Sequence, residues 1–379
     1  GIKDVLHCFV LVALSGLFGK KFQYDTSASS VLVAQKRLEP ATVEEEIRHA
    51  HTDAEQAETT TVALAHRSLP LSEIISFYKT LGTSTMDWFD PERSTTKDVV
   101  CAAVIPKSRD DISDPLSYAE YFQKMHKEEG NKTLPDCMVT HWWGNLFSHL
   151  VAAVIADAKG DRCYEDVLAS ITGDSKPLEK KGIGKEFRSF DELMHELETI
   201  NALDRRYWIC AFCVNQHVTT CDQGNTFDTV TQRNHQSCDC GLPKVFEGPA
   251  CEVDKFDSMI AHLVAEKGSS FSHLVAVDQG NETFGRAWCV SEIAKAHALK
   301  VHQQFVMHSD ENTKKHFHKI RRIDVKKCRA SREEDKDRIL QQIERDEGCV
   351  LFNKKVRSVV LNFTKYWLDC AESMEQISR

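Results

Sequence analysis

The sequence predicts an α/β protein built around a doubly wound, five-stranded parallel sheet. Two observations carry this expectation. After Pro135, short apolar runs alternate with stretches of helical period, the pattern of successive βαβ units. One of those runs, 207–214 (Tyr-Trp-Ile-Cys-Ala-Phe-Cys-Val), is apolar throughout, which suits a central strand covered on both faces. Right-handed crossovers then place helices on both sides of the sheet, so the economical topology is flavodoxin-like.

In chain order, residues 5–18 form an apolar stretch followed by Lys20 and Lys21. It is shorter than the ~20 residues that span a bilayer and reads as a buried or amphipathic helix, unless it belongs to a longer span. The remainder of 1–135 alternates helix-like stretches with polar connections, including Glu44-Glu45-Glu46 and Asp90-Pro91-Glu92. Its clearest elements are an apolar run over 98–106 ended by Pro106 and a helix over 116–128 with Tyr118, Tyr121, Phe122 and Met125 on one side. We expect 1–135 to be a separate, mainly helical region without catalytic groups. Strands are expected at 137–141, 207–214, 272–277, 302–307 and 320–326. The helices fall at 145–158, 255–267, 287–299 and 332–346, the last opened by a capping box of Ser331 and Glu334. The domain so defined covers 136–346, with a cysteine-rich insertion at 218–254, and a long helix occupies much of 347–379.

The composition excludes several classes. With 379 residues, 41% hydrophobic and 28% charged, the chain is neither disordered nor fibrous. A net charge of −9 and the acidic Glu333-Glu334-Asp335 beside the basic stretch 314–332 argue against a nucleic-acid surface. The fourteen cysteines are too sparse for a disulfide scaffold and sit largely in apolar runs, which points to a reducing, intracellular, cytoplasmic setting. Cys137, Cys210, Cys213, Cys289 and Cys349 read as small core residues.

Ligands of such sheets bind beyond the carboxyl ends of the strands. There the first strand runs into His141-Trp142-Trp143-Gly144-Asn145 and the second into Asn215-Gln216-His217. His141, Trp143, Asn145 and Asn215 are candidate ligand contacts by position, although paired tryptophans also pack cores and loop amides also close turns. Trp288 and Glu292, four apart after the third strand, share one helix face at the same crevice. Glu292 could equally offset the helix end or pair with Lys295 or Arg286. In the insertion, Cys221, His235, Cys238, Cys240 and Cys251 lie in a polar loop with few groups to build a core. Four of the five could hold a tetrahedral zinc, the cysteines Cys221, Cys238, Cys240 and Cys251 being the first choice; free thiols are the other reading.

The segment Trp288-Cys289-Val290-Ser291-Glu292-Ile293 resembles the Trp-Cys-x-x-Glu-Leu stretch that opens the third helix of Toll/interleukin-1 receptor (TIR) domains. The order of motifs over 136–346, including Val139-Thr140-His141-Trp142-Trp143-Gly144-Asn145-Leu146-Phe147 and Lys255-Phe256-Asp257-Ser258-Met259, is similar to that of TIR-like proteins of unicellular algae. The resemblance implies a flavodoxin-like fold. It also implies, for Glu292, the catalytic carboxylate that enzymatic TIR domains use to cleave NAD+ at the nicotinamide–ribose bond. Trp288 would pack beside that pocket, and the insertion would replace the loop that gates it. The resemblance is equally compatible with a noncatalytic signalling module that acts by self-association or by binding other TIR-like domains.

Overall fold

The computed structural model describes residues 40–109, 115–173, 189–221 and 226–377, so the apolar stretch 5–18 lies outside the described residues. The chain divides into two units, Gly1–His49 and Ala50–Arg379. In the first, the described residues 40–49 are helical. No helix among the described residues is long and apolar enough to cross a membrane.

The second unit is α/β, with a five-stranded, mostly parallel sheet. Its strands are β1 (Leu69–Pro70), β2 (Cys137–Thr140), β3 (Arg206–Ile209), β4 (Ser272–Ala276) and β5 (His302–Val306), ordered β1-β3-β2-β4-β5. The four parallel strands therefore follow the order 2-1-3-4, compatible with a flavodoxin-like arrangement, and the sheet direction switches between β2 and β4. Every residue of β2 is buried, as a strand covered on both faces requires. Helix α4 (Phe147–Lys159) packs against α2 (Leu71–Thr80) and α5 (Glu165–Thr172). Helix α8 (Ala287–Ala298) packs against α7 (Phe256–Lys267), α10 (Glu333–Asp346) and α11 (Cys349–Ile377).

The fifth strand is not where the sequence suggested. Residues 320–326 are the end of helix α9 (Asp310–Arg321) and a 3-10 turn at Val325–Lys327. Ser309 caps α9 by accepting from Asn312 N, with Asp310 and Glu311 in the first turn and basic residues in the last. Ile320, Ile323 and Val325 are buried in a core shared with Val356 and Val360 of α11. Two backbone groups there find partners on that helix and not on a strand: Val325 N donates to Asn353 Oδ1 at 2.9 Å, and Arg357 Nε donates to Ile323 O at 2.7 Å. The fifth strand is instead β1, antiparallel to β3, with Leu69 opposite Tyr207.

That strand comes from the region before 135, and residues 50–135 fall in the same compact unit as the sheet. Trp208 of β3 donates its indole N–H to Leu64 O at 3.0 Å. Phe77 meets Tyr118, Phe147 and Phe212 edge-on at centroid distances of 5.0, 6.0 and 5.1 Å. Helix α3 (Tyr118–His126) buries Tyr118 and Phe122 but leaves Met125 exposed. The run 98–106 is helical, with a π-turn at Val100–Val104 just before Pro106. A proline there lacks the N–H for a normal helical bond, and the wider turn absorbs the loss.

Two local expectations also change. β3 ends at Ile209, and Cys210–Cys213 forms a helical turn with Val214 N donating to Cys210 O at 3.2 Å. Ser331 does not cap α10: Arg332 is the N-cap residue, and Ser331 Oγ accepts from Arg286 Nη2 at 3.2 Å.

Candidate functional site

A cleft of about 230 Å³ opens at the carboxyl ends of β2 and β3, beside the switch point. It draws on four parts of the chain. The β2 end supplies Val139, His141, Trp142 and Trp143, and α8 supplies Trp288, Cys289 and Glu292. The insertion and its approach supply Gln216, Thr219, Thr220, Phe246 and Val253, and the rim carries Lys97, Arg286, Ser331, Arg332 and Asp335.

Glu292 is the chemical centre. It lies in the second turn of α8, 8% exposed. Burial pushes its carboxyl up to about 7 against the pull of the Thr140 hydrogen bond, with Asp257 adding to the rise. Thr140 Oγ1 donates to Glu292 Oε2 and lies 2.7 Å from His273 Nε2. Since the threonine proton points at the carboxylate, the His273 N–H must donate to Thr140, which assigns the Nε2–H tautomer. Burial pulls His273 down to about 4, so it stays neutral. The relay therefore orients Glu292 without neutralising it.

The surroundings are aromatic and neutral. Burial likewise pulls His141 down to about 4. Trp143 donates its indole N–H to Cys210 Sγ at 3.2 Å, and Cys289 Sγ donates to His141 O at 3.4 Å. Trp288 sits between Phe256, 5.9 Å away, and the Arg338 guanidinium, 5.6 Å from its ring centroid. Gly144 is needed next to Trp142, because a Cβ there would fall 2.3 Å from an indole carbon. Arg332 lies 3.8 Å over the Phe246 ring. Lys97 and Arg286 form no ion pair among the described residues, so the rim has positive charge to offer an anion.

Of the residues expected in this crevice, His141, Trp143, Trp288 and Glu292 converge on the cleft. Asn145 and Asn215 do not. Asn145 Oδ1 accepts from Leu146 N at 2.9 Å. Asn215 Nδ2 donates to Pro115 O at 2.9 Å and its Oδ1 accepts from His217 N at 3.0 Å. The Asn145 amide closes its own turn, and the Asn215 amide joins its turn to Pro115. Thr140, His273 and Lys97 were not anticipated; Lys97 lies in the region expected to be without function.

The raised carboxyl of Glu292 has a measurable cost. A buried acid that holds its proton to about pH 7 makes the fold bind more protons than the unfolded chain between its ordinary value and 7. Stability therefore falls as pH rises through that window. Glu292→Gln keeps an acceptor for Thr140, and chemical denaturation at pH 8 should find it more stable than the parent by about 3 kcal/mol, with no difference at pH 4.

A second cluster lies in the insertion. His217, Cys221, Cys238 and Cys240 place one ligand atom each within 4.8 Å of one another, an arrangement that could hold a metal ion. Cys221 Sγ is 3.6 Å from Cys240 Sγ, and Cys238 Sγ is 3.4 Å from His217 Nδ1. Ser108 Oγ lies 3.1 Å from His217 Nε2 and can fix the tautomer that leaves Nδ1 free to ligate. Lys244 Nζ approaches Cys221 Sγ at 2.9 Å, a positive charge beside the thiols. Cys251, expected as the fourth ligand, is buried outside the cluster in a turn where its N–H donates to Gly248 O at 3.1 Å. His217 takes that place. The signal available in sequence was the spacing His217-x-x-x-Cys221, which puts both on one side of a helical turn. Cys210 and Cys213 do not share a ligand: Cys213 Sγ accepts from Ile209 N at 3.4 Å, away from Cys210 Sγ and its tryptophan.

His235 belongs to a third group, with Asp98 and Asp228. These carboxylates are already occupied. Asp98 accepts from Thr95 and Thr229, and Asp228 accepts from Trp88 Nε1, Val230 N and Thr231 N. The group ties the insertion to residues 88–98. A second cavity of about 380 Å³ beside it is lined by Asp228 and His235 of this group together with Arg109, Arg233 and Cys238.

Compared with protein-family models, curated proteins and solved structures, the chain matches none.

Proposed function

We propose that this is a TIR-like protein whose cleft binds a nicotinamide dinucleotide and cleaves NAD+ between nicotinamide and ribose. The observation that carries the reading is a buried carboxylate, Glu292, on the floor of an aromatic cleft whose rim bears Lys97 and Arg286, neither of them in an ion pair among the described residues. The enclosed volume is small beside the roughly 300–1,000 Å³ of a pocket that swallows a whole drug-sized ligand. It suits one ring and its sugar, with the pyrophosphate lying along Arg286, Arg332 and Lys97.

The chemistry fits these groups. The C1′–N bond breaks, its electron pair leaves on the nicotinamide nitrogen, and water adds at C1′ while losing a proton to solvent. Nicotinamide leaves neutral, so no general acid is required. Glu292 would hold the ribose hydroxyls and stabilise the developing oxocarbenium charge. The bound pyridinium cation favours the ionised carboxylate, and so draws Glu292 below its value in the free protein. Incubating the concentrated chain with NAD+ should release nicotinamide, and Glu292→Ala should not. Release from neither, with NAD+ still bound, would favour the noncatalytic signalling module instead.

The insertion cluster is read as a structural zinc site of the Cys3His type. Ligands about 2.3 Å from a tetrahedral zinc lie about 3.8 Å apart, near the sulfur separation seen here. Three thiolates and zinc leave one negative charge, and Lys244 stands against it. Elemental analysis should find one zinc per chain, retained in Cys251→Ser and lost in a Cys238→Ser, Cys240→Ser double variant. Loss of zinc from the Cys251 variant alone would overturn the ligand set.

A further inference from the structure

The turn 216–221 faces two ways. It is a single hydrogen-bonded turn: Thr220 N and Cys221 N donate to Gln216 O at 2.9 and 2.8 Å. Positions three and four apart on such a turn share a face. Gln216, Thr219 and Thr220 accordingly line the cleft, whereas His217 and Cys221 face the cysteine cluster. The cleft side is knit together, with Thr220 Oγ1 donating to Gln216 Oε1 at 2.8 Å and Gln216 Nε2 donating to Cys210 O at 2.8 Å. The other end of the insertion repeats the arrangement. Val245 N donates to Val218 O at 2.8 Å, which sets Phe246 in the cleft one position after the backbone tie and two after Lys244, the residue beside Cys221 Sγ.

Apolar burial holds this wall mainly at its ends, where Cys221 joins the main core and Cys238, Cys240 and Val253 pack against it; over the described residues 226–250 Asp228 alone is buried. The His235–Asp98–Asp228 group ties residues 228–235 to 88–98, and for the stretch around Cys238 and Cys240 metal ligation is a staple the side chains can make.

We propose that the metal centre braces the outer wall of the cleft. Ligation through His217 and Cys221 holds Gln216, Thr219, Thr220 and Phe246 in place to receive the ligand, so metal and ligand bind with positive coupling. The inference rests on the metal reading above and on the cleft as a ligand site, whichever ligand fills it. Coupling is reciprocal: a ligand in the cleft must also tighten binding of the metal.

Hydrogen exchange on the full chain, zinc-loaded and after chelation, tests the brace without a ligand. The amides of 216–221 should exchange at least about tenfold faster without zinc, while those of β2 and β4 keep their protection. Cys240→Ser should reproduce the chelated pattern, and Cys251→Ser the zinc-loaded one. With NAD+ as the probe, affinity should fall about 5- to 150-fold on chelation, and saturating NAD+ should lower the equilibrium Kd for zinc by the same factor. Faster exchange at 216–221 with no NAD+ binding to either form supports the brace and removes the NAD+ reading alone. Unchanged exchange at 216–221, a loss of protection that spreads through β2 and β4, or a chain that holds no metal overturns the proposal.

Discussion

Arg67→Met should cost the fold about 3–5 kcal/mol, although it removes a single side chain far in sequence from either site. Arg67 is buried, and its Nη1 donates to Glu252 Oε1 at 2.7 Å and to Cys213 O at 3.1 Å. Nη2 pairs with Glu120 Oε1 at 2.8 Å. One guanidinium thus joins the end of α1 (Pro40–Ala65), helix α3, the turn after β3 and the end of the insertion. Methionine fills much of the volume but leaves Glu252 buried without its counter-charge, and Glu252 Oε2 also accepts from Asn215 N at 2.7 Å. The penalty is therefore that of an orphaned carboxylate. Urea denaturation at pH 7 measures it, and Glu252→Gln in the same chain should recover part of the loss. A cost under about 1 kcal/mol would mean that the pair behaves as an exposed one.

Glu292→Gln should lower nicotinamide release by about 10²–10³-fold or more while leaving KM for NAD+ within a few-fold. The amide keeps the Thr140 hydrogen bond and the shape of the cleft, but it cannot offer a full negative charge to an oxocarbenium centre. An interaction made mainly in the transition state appears in kcat, whereas one made equally with the ground state appears in KM. Loss confined to KM would assign Glu292 to binding alone.

Much of the fold was legible because its signals were local and long. Four of the five expected strands sit where apolar runs of four to eight residues met turn signals. The four expected helices begin within about two residues of their expected starts, as helix boundaries allow, whereas α9, directly after β5, was not expected. The failures share a physical cause: an apolar run does not say what covers it. Ile320, Ile323 and Val325 were spaced tolerably for a strand, but α11 buries them and its side chains satisfy their backbone. Residues 210–214 read as strand because composition alone does not separate a buried strand from a buried turn. Leu69-Pro70 was too short to register as a strand at all.

The site was legible where one helix or one strand end carried it. Trp288 and Glu292 lie four apart, and His141 and Trp143 follow directly on β2. It was illegible where distant segments meet. Nothing local joins Thr140 to His273, or Lys97 to Arg332. The cysteines divide in the same way. Cys137, Cys213, Cys289 and Cys349 are buried, as their apolar neighbours suggested, whereas Cys210 is only partly buried. The cluster in the insertion depends on how the chain folds back, so Cys251 looked equivalent to Cys240 and His217 did not look like a ligand.

The pH profile of nicotinamide release most directly tests whether Glu292 is the working group of the cleft. From about pH 6 to about pH 8, kcat/KM for NAD+ should rise to a plateau with a midpoint near 7, the value to which burial raises the Glu292 carboxyl in the free protein. In Glu292→Gln the rise should vanish with the activity. Release by the variant at the parental rate and with the parental midpoint would contradict the account.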